Sequence, residues 1–209
     1  MRTFWLAIVV AVGLVFAPAG AYAGPGHVYL LKGLANVFST GLDNYAADLT
    51  RRRIPVTVAN HTQAASLAIE AAQLYKAGKG PIVIVGHSLG GAASTEMAQI
   101  MQQKGAKVAL IVNYGPPGNQ VIPANVARVV NYYGVVGGMA VKGPGFRGSI
   151  TNINLSDDPY INHFNMEKSS RLEAKTMAQI LAALRSGHHR AVPKVADTPQ
   201  HSAAANPAQ

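Results

Sequence analysis

Ser88 lies between two glycines at a fixed spacing, in Gly86-His87-Ser88-Leu89-Gly90, and Gly91 completes the run. A serine hydroxyl held this way can act as a nucleophile if the chain turns sharply enough to lift it clear of the backbone. Gly86 and Gly90 leave room for that turn because neither carries a Cβ. The Leu89 amide, at the start of a following helix, would point at an oxyanion formed on an attacked carbonyl. Without a strand before it and a helix after it, the same string is only a turn whose serine caps a helix.

The flanks supply both. Ile82-Val83-Ile84-Val85 is a short β-branched apolar run, as expected of a strand covered on both faces, and Ala92 to Met101 is rich in helix-forming Ala, Met, Gln and Glu. Strand, tight turn and helix are the setting of a nucleophile elbow. The string Pro81 to Gly91, PIVIVGHSLGG, resembles the elbow of α/β-hydrolases of the lipase, esterase and thioesterase kind. The likeness runs in outline from about His27 to Leu184, and only the elbow is a motif. It implies a serine-hydrolase fold and chemistry without a cofactor or metal. It also implies a second oxyanion donor from the loop after the first strand, where Leu34 or Ala35 matches the position.

The resemblance places the general base after the last strand, and His163 is the only histidine between the elbow and the C-terminal tail. Its stretch, Asp157-Asp158-Pro159-Tyr160-Ile161-Asn162-His163-Phe164, is similar to the histidine loop of small hydrolases of this family. His61 precedes the serine, against the family order. The acid departs from the pattern. No Asp or Glu occurs between Glu96 and Asp157, and Gly115-Pro116 stands where relatives that read Asp-Pro would place the carboxylate. Three arrangements remain: Asp157 or Asp158 orients His163 from within the loop, Asp43 reaches across, or Ser88 and His163 act as a dyad.

Around these residues the chain alternates strands and helices. Strands are predicted at His27–Leu31, Val56–Ala59, Ile82–Val85, Val108–Asn113, Val126–Tyr133 and Ile150–Leu155, and helices at 39–53, 62–76, 92–101 and 169–184. Leu42, Tyr45, Ala46 and Leu49 give the first helix a buried stripe, and Leu172, Met177, Ile180, Leu181 and Leu184 give one to the last. Arg51 to Arg53 fall at the C-terminal end of the first helix, where positive charge is favourable. Gly134 to Gly148 is predicted as a glycine-dense loop. The expected architecture is α/β: a mainly parallel sheet flanked by helices, a hydrolase core without a large cap domain.

The ends frame one domain, 24–186. Arg2, the apolar run Phe4 to Phe16 and Ala21-Tyr22-Ala23 have the form of a cleavable signal peptide, residues 1–23. The expected localisation is therefore export, periplasmic or secreted, and the chain has no cysteine to form a disulfide there. Residues 187–209 are polar, Pro- and Ala-rich and without periodicity, a composition that predicts a disordered tail. Adjacent His188 and His189 point differently and specify no metal site.

The chain of 209 residues carries 18 Lys plus Arg against 9 acids, a net charge of +9. The basic residues are scattered and not interleaved with aromatics, which argues against nucleic acid as a partner. The charge allows weak electrostatic association with anionic surfaces, and nothing in the sequence specifies an oligomeric state. The leading expectation is an exported serine hydrolase acting on a small-molecule or lipid ester, or a thioester, through an acyl-enzyme on Ser88. The alternatives are a binding or scaffold protein that keeps the fold without the acid, and a basic peripheral membrane binder.

Overall fold

The computed structural model of the protein describes residues 26–34 and 39–190. The expected signal peptide, Ala35 and the chain beyond Arg190 lie outside the described residues. The elements run β1 (His27–Lys32), α1 (Gly41–Arg51), β2 (Val56–Asn60), α2 (Ala64–Lys76), β3 (Ile82–His87), α3 (Leu89–Gln103), β4 (Leu110–Tyr114), β5 (Gln120–Ile122), β6 (Arg128–Tyr133), β7 (Ala140–Lys142), β8 (Ser149–Asn154) and α4 (Ser170–Arg190).

Six strands form one sheet in the order β2-β1-β3-β4-β6-β8, and every pairing in it is parallel. This is the mainly parallel sheet with flanking helices that the alternating pattern predicts. The elbow strand β3 lies between β1 and β4 and is buried at all six positions. Side chains alternate across a strand, so Val83 and Val85 join Leu42, Tyr45 and Leu49 of α1 and Leu172, Ile180 and Leu184 of α4 in one core. Ile82 and Ile84 face the other way, onto Ala68, Ala71 and Ala72 of α2 and Met97, Ala98 and Met101 of α3. Small residues on α2 let that layer lie close to the sheet. The predicted stripes are the faces used, with Ala46 and Leu181 only partly buried. No described helix is long and apolar enough to cross a membrane.

The two later crossovers contain no helix. Each contributes a three-residue strand instead, and β5 and β7 pair in parallel as a small second sheet. Ile122 and Ala140 pack into the α2–α3 core, so this ribbon covers the sheet where a helix would otherwise lie. A row of asparagines in register, Asn113 on β4, Asn131 on β6 and Asn152 on β8, fixes it. Asn152 accepts from the Ala140 amide and donates to its carbonyl, both at 2.9 Å, and Asn131 Nδ2 donates to Gly138 O at 2.9 Å. At the other end of the row, Ser94 of α3 donates to Asn113 Oδ1 at 2.7 Å. The predicted loop 134–148 is thus a crossover held by side chains, with one short strand inside it.

Candidate active site

The elbow is built by close backbone approach. A Cβ on Gly86 would lie 2.2 Å from Gly90 O, and one on Gly90 would lie 1.9 Å from Leu31 O. Strand β3, helix α3 and strand β1 can meet only because both positions are glycine. The turn leaves Ser88 at φ 56°, ψ −123°, a region non-glycine residues rarely occupy and that costs about 1–3 kcal/mol. Its amide donates to Tyr114 O at 2.8 Å at the end of β4. Helix α3 begins at Leu89, so the Leu89 amide belongs to the first turn, which has no intrahelical acceptor.

Facing the serine is His163, whose Nε2 lies 3.1 Å from Ser88 Oγ. Its loop is knotted by its own polar side chains. Asn165 Oδ1 accepts from the Asn162 amide at 2.7 Å, Asn162 Oδ1 from the Phe164 amide at 2.9 Å, and Asn165 Nδ2 donates to Tyr160 O at 3.0 Å. Burial lowers the pKa of His163 from its ordinary 6.5, so the ring is neutral at neutral pH. To accept the serine proton, Nε2 must be bare and Nδ1 must carry the hydrogen.

No carboxylate meets that hydrogen. Nδ1 of His163 is buried without a hydrogen-bond partner among the described residues. Asp158 forms an ion pair with Arg171 of α4 and accepts from the Tyr160 amide at 3.1 Å. Asp157 is exposed, and Asp43 pairs with Lys32 at 2.7 Å. Of the residues named from the sequence, the structure brings Ser88 and His163 together and gives neither loop aspartate nor Asp43 a bond to the ring. The two loop aspartates do not reach the ring because one turns back to α4 and the other faces solvent. Gly115, where relatives would read Asp, has φ 55°, and a Cβ there would lie 2.7 Å from His163 Nδ1. The imidazole therefore packs directly on the glycine, in the space an acid's side chain would need.

On the oxyanion side, a Cβ on Gly33 would stand 3.0 Å from Ser88 Cβ and 3.5 Å from Leu89 N, so the loop after β1 abuts the elbow. Leu34 follows Gly33 and is 65% exposed. A pocket of about 220 Å³ is lined by His163 together with Val135, Val136, Leu155, Ile161, Phe164 and Met166. Among the described residues no group of three potential metal ligands converges.

Three residues that the sequence reading passed over lie beneath the dyad. His87 and Ser39 are buried and hydrogen-bonded to each other at 2.9 Å. Glu167, fully buried on the 3-10 turn Met166–Lys168, has neither carboxylate oxygen hydrogen-bonded among the described residues. The titratable groups within 4 Å among the described residues are the neutral His87, Nε2 at 3.6 Å, and Lys168, Nζ at 3.9 Å. Burial raises its pKa from 4.5 to about 7, against smaller opposing pulls from nearby backbone amides and from Lys168. Strand alternation is the one sequence signal here: after Val83 and Val85, His87 must point to the α1–α4 face.

A stability prediction follows from Glu167. Between pH 4.5 and about 7 the unfolded chain has lost this proton while the folded protein keeps it. Stability therefore falls as pH rises through that window and levels above it, by up to about 3 kcal/mol. Urea unfolding of Glu167→Gln should match wild type near about pH 4 and exceed it near about pH 8. Equal gains at both pH values would show that the carboxyl does not titrate in this way.

Among solved structures, human thioesterase 2 is similar over 77% of this chain and 97% of its own, with a TM-score of 0.51 and 9% identity. The type II thioesterase BorB from the borrelidin biosynthetic cluster covers 75% of this chain and 93% of its own, with a TM-score of 0.46 and 11% identity. No curated protein sequence matches the chain. A family model described as the alpha/beta hydrolase family matches residues 14–203. With that match spanning nearly the whole sequence, and with the parallel sheet and elbow described above, the chain belongs to the α/β-hydrolase family.

Proposed function

We propose that the protein is an exported serine hydrolase that cleaves carboxylic esters or thioesters through an acyl-enzyme. The observation that carries this reading is the 3.1 Å approach of His163 Nε2 to a Ser88 hydroxyl raised on a strained elbow. Ser88 Oγ attacks the carbonyl carbon as His163 takes its proton. The oxyanion is held by the Leu89 amide and by an amide of the Leu34–Ala35 stretch. Collapse expels the alcohol or thiol with the proton from His163, and water repeats the cycle to release the acid. The pocket of about 220 Å³ beside His163 suits a small apolar group of the substrate. Export is supported by the signal-peptide form of residues 1–23.

A second reading, a binding protein on a hydrolase fold, is favoured by the unpartnered Nδ1 of His163. Fluorophosphonate labelling of the mature protein, with peptide mapping, separates the two. The hydrolase should be labelled at Ser88 alone, and Ser88→Ala should not be labelled. The rate should climb with pH on a limb centred below 6.5, because burial depresses the base and it must be neutral to act. Folded wild-type protein that stays unlabelled at every pH would leave the binding reading.

A further inference from the structure

The Ser88–His163 pair lacks the carboxylate that normally fixes the base, yet His163 is held. We propose that His87 is a positioning residue: with Ser39 it fixes the main chain of His163 against Ser88 and ties that base to the oxyanion loop. This rests on the hydrolase reading given above.

The chain of hydrogen bonds has one direction. His87 Nε2 lies 2.8 Å from the carbonyl oxygen of His163. That oxygen can only accept, so Nε2 carries the hydrogen. Burial pushes the pKa of His87 down to about 4, so the ring is neutral and its Nδ1 is bare. Ser39 Oγ, 2.9 Å away, donates to Nδ1 and accepts from the Gly33 amide at 3.0 Å. Gly33, Ser39, His87 and His163 thus form one buried relay with every donor matched to an acceptor. It runs from the oxyanion loop to the base.

Two consecutive residues therefore grip His163 at two atoms. Ser88 meets its ring nitrogen and His87 its carbonyl oxygen. The bonds among Asn162, Asn165 and Tyr160 set the shape of the loop but are internal to it. His87 fastens that loop to the sheet directly behind the nucleophile. A misplacement of about 1 Å at a reacting pair can cost about 10²-fold in rate. With no acid at Nδ1, this main-chain anchor acts with the Ser88 contact and the packing on Gly115 to set where the imidazole stands.

The test uses His87→Leu, which fills the volume without a donor, His87→Gln, which keeps an N–H of similar reach, and Ser39→Ala. Labelling rates, kcat and KM on a short p-nitrophenyl ester, and urea midpoints are measured for each. His87→Leu should lose about 10- to 100-fold in kcat and in labelling with KM little changed, and His87→Gln should recover most of it. Ser39→Ala should lose about tenfold. A wild-type kcat in folded His87→Leu, or a loss that His87→Gln does not relieve, overturns the proposal. If His87→Leu does not fold, His87→Gln with near wild-type kcat and Ser39→Ala with reduced kcat still support it, and an unaffected Ser39→Ala rejects it. If wild type itself is not labelled, the hydrolase reading fails on its own. Positioning is then read from the 15N signals of the His163 ring. One sharp set in wild type and His87→Gln, but averaged or multiple sets in His87→Leu, supports it, and unchanged signals in His87→Leu reject it.

Discussion

Gly90→Ala is expected to leave little folded protein. The added Cβ would sit 1.9 Å from Leu31 O and 2.6 Å from Leu31 C, both backbone atoms of a central strand. No rotamer relieves a backbone clash, so β1 and α3 must separate, and the hydrogen-bonded register of β1 with β3 is disturbed with them. A loss of more than about 4 kcal/mol is expected, at the far end of what single substitutions do. Circular dichroism and urea unfolding would register it. Gly78→Ala serves as the control: its Cβ meets nothing within 4 Å, and only the strain of its positive φ remains, about 1 kcal/mol. An unfolding midpoint for Gly90→Ala equal to that of Gly78→Ala would mean that the elbow is not packed as described.

His163→Ala is expected to lower ester turnover by about 10³-fold, because the base that takes and returns the serine proton is gone. Asp157→Ala should stay within about threefold of wild type, since that side chain is exposed and unconnected to the ring. Asp158→Ala should mainly cost stability of the loop through the lost Arg171 pair and Tyr160 cap. Steady-state kinetics on one ester decide the matter. A 10³-fold fall in kcat for either aspartate variant, with folding intact, would restore that residue as the orienting acid. On the proposed mechanism, the missing carboxylate also sets the scale of the wild-type rate. Without a carboxylate to stabilise the imidazolium, turnover should fall short of an acid-containing relative by several powers of ten.

What the sequence made legible is the part written in local pattern. The β-branched run before Gly86 and the helix formers after Gly91 place Ser88, and the scarcity of histidines before the tail isolates His163. The stripes of α1 and α4 carry the sheet's second face. The short strands β5 and β7 were not visible because three residues make too little alternation to be told from loop. Glu167 and Ser39 were passed over because a lone acid reads as a solvated charge and a serine before a helix as its opener. Their burial arises from tertiary contact, where Gly41 lets the 3-10 turn press onto the start of α1. The gap in the acid was legible, since Gly115-Pro116 stands where relatives read Asp-Pro; what the sequence could not show is that the His163 ring packs on that glycine.

The parallel pairing of the sheet also governs how the chain reaches this state. The described strands form no hairpin, and even the closest-spaced register, Ile111 with Val129, joins residues 18 positions apart. Each pairing must therefore close a long loop before any ladder bond repays the entropy spent, which makes for high contact order and slow folding. The dyad inherits this delay. Ser88 and His163 stand 75 positions apart, and β4, β6 and β8 must all be in place before the loop that carries the base can close over the elbow. The approach of His163 to Ser88 is therefore expected to form late as the chain folds.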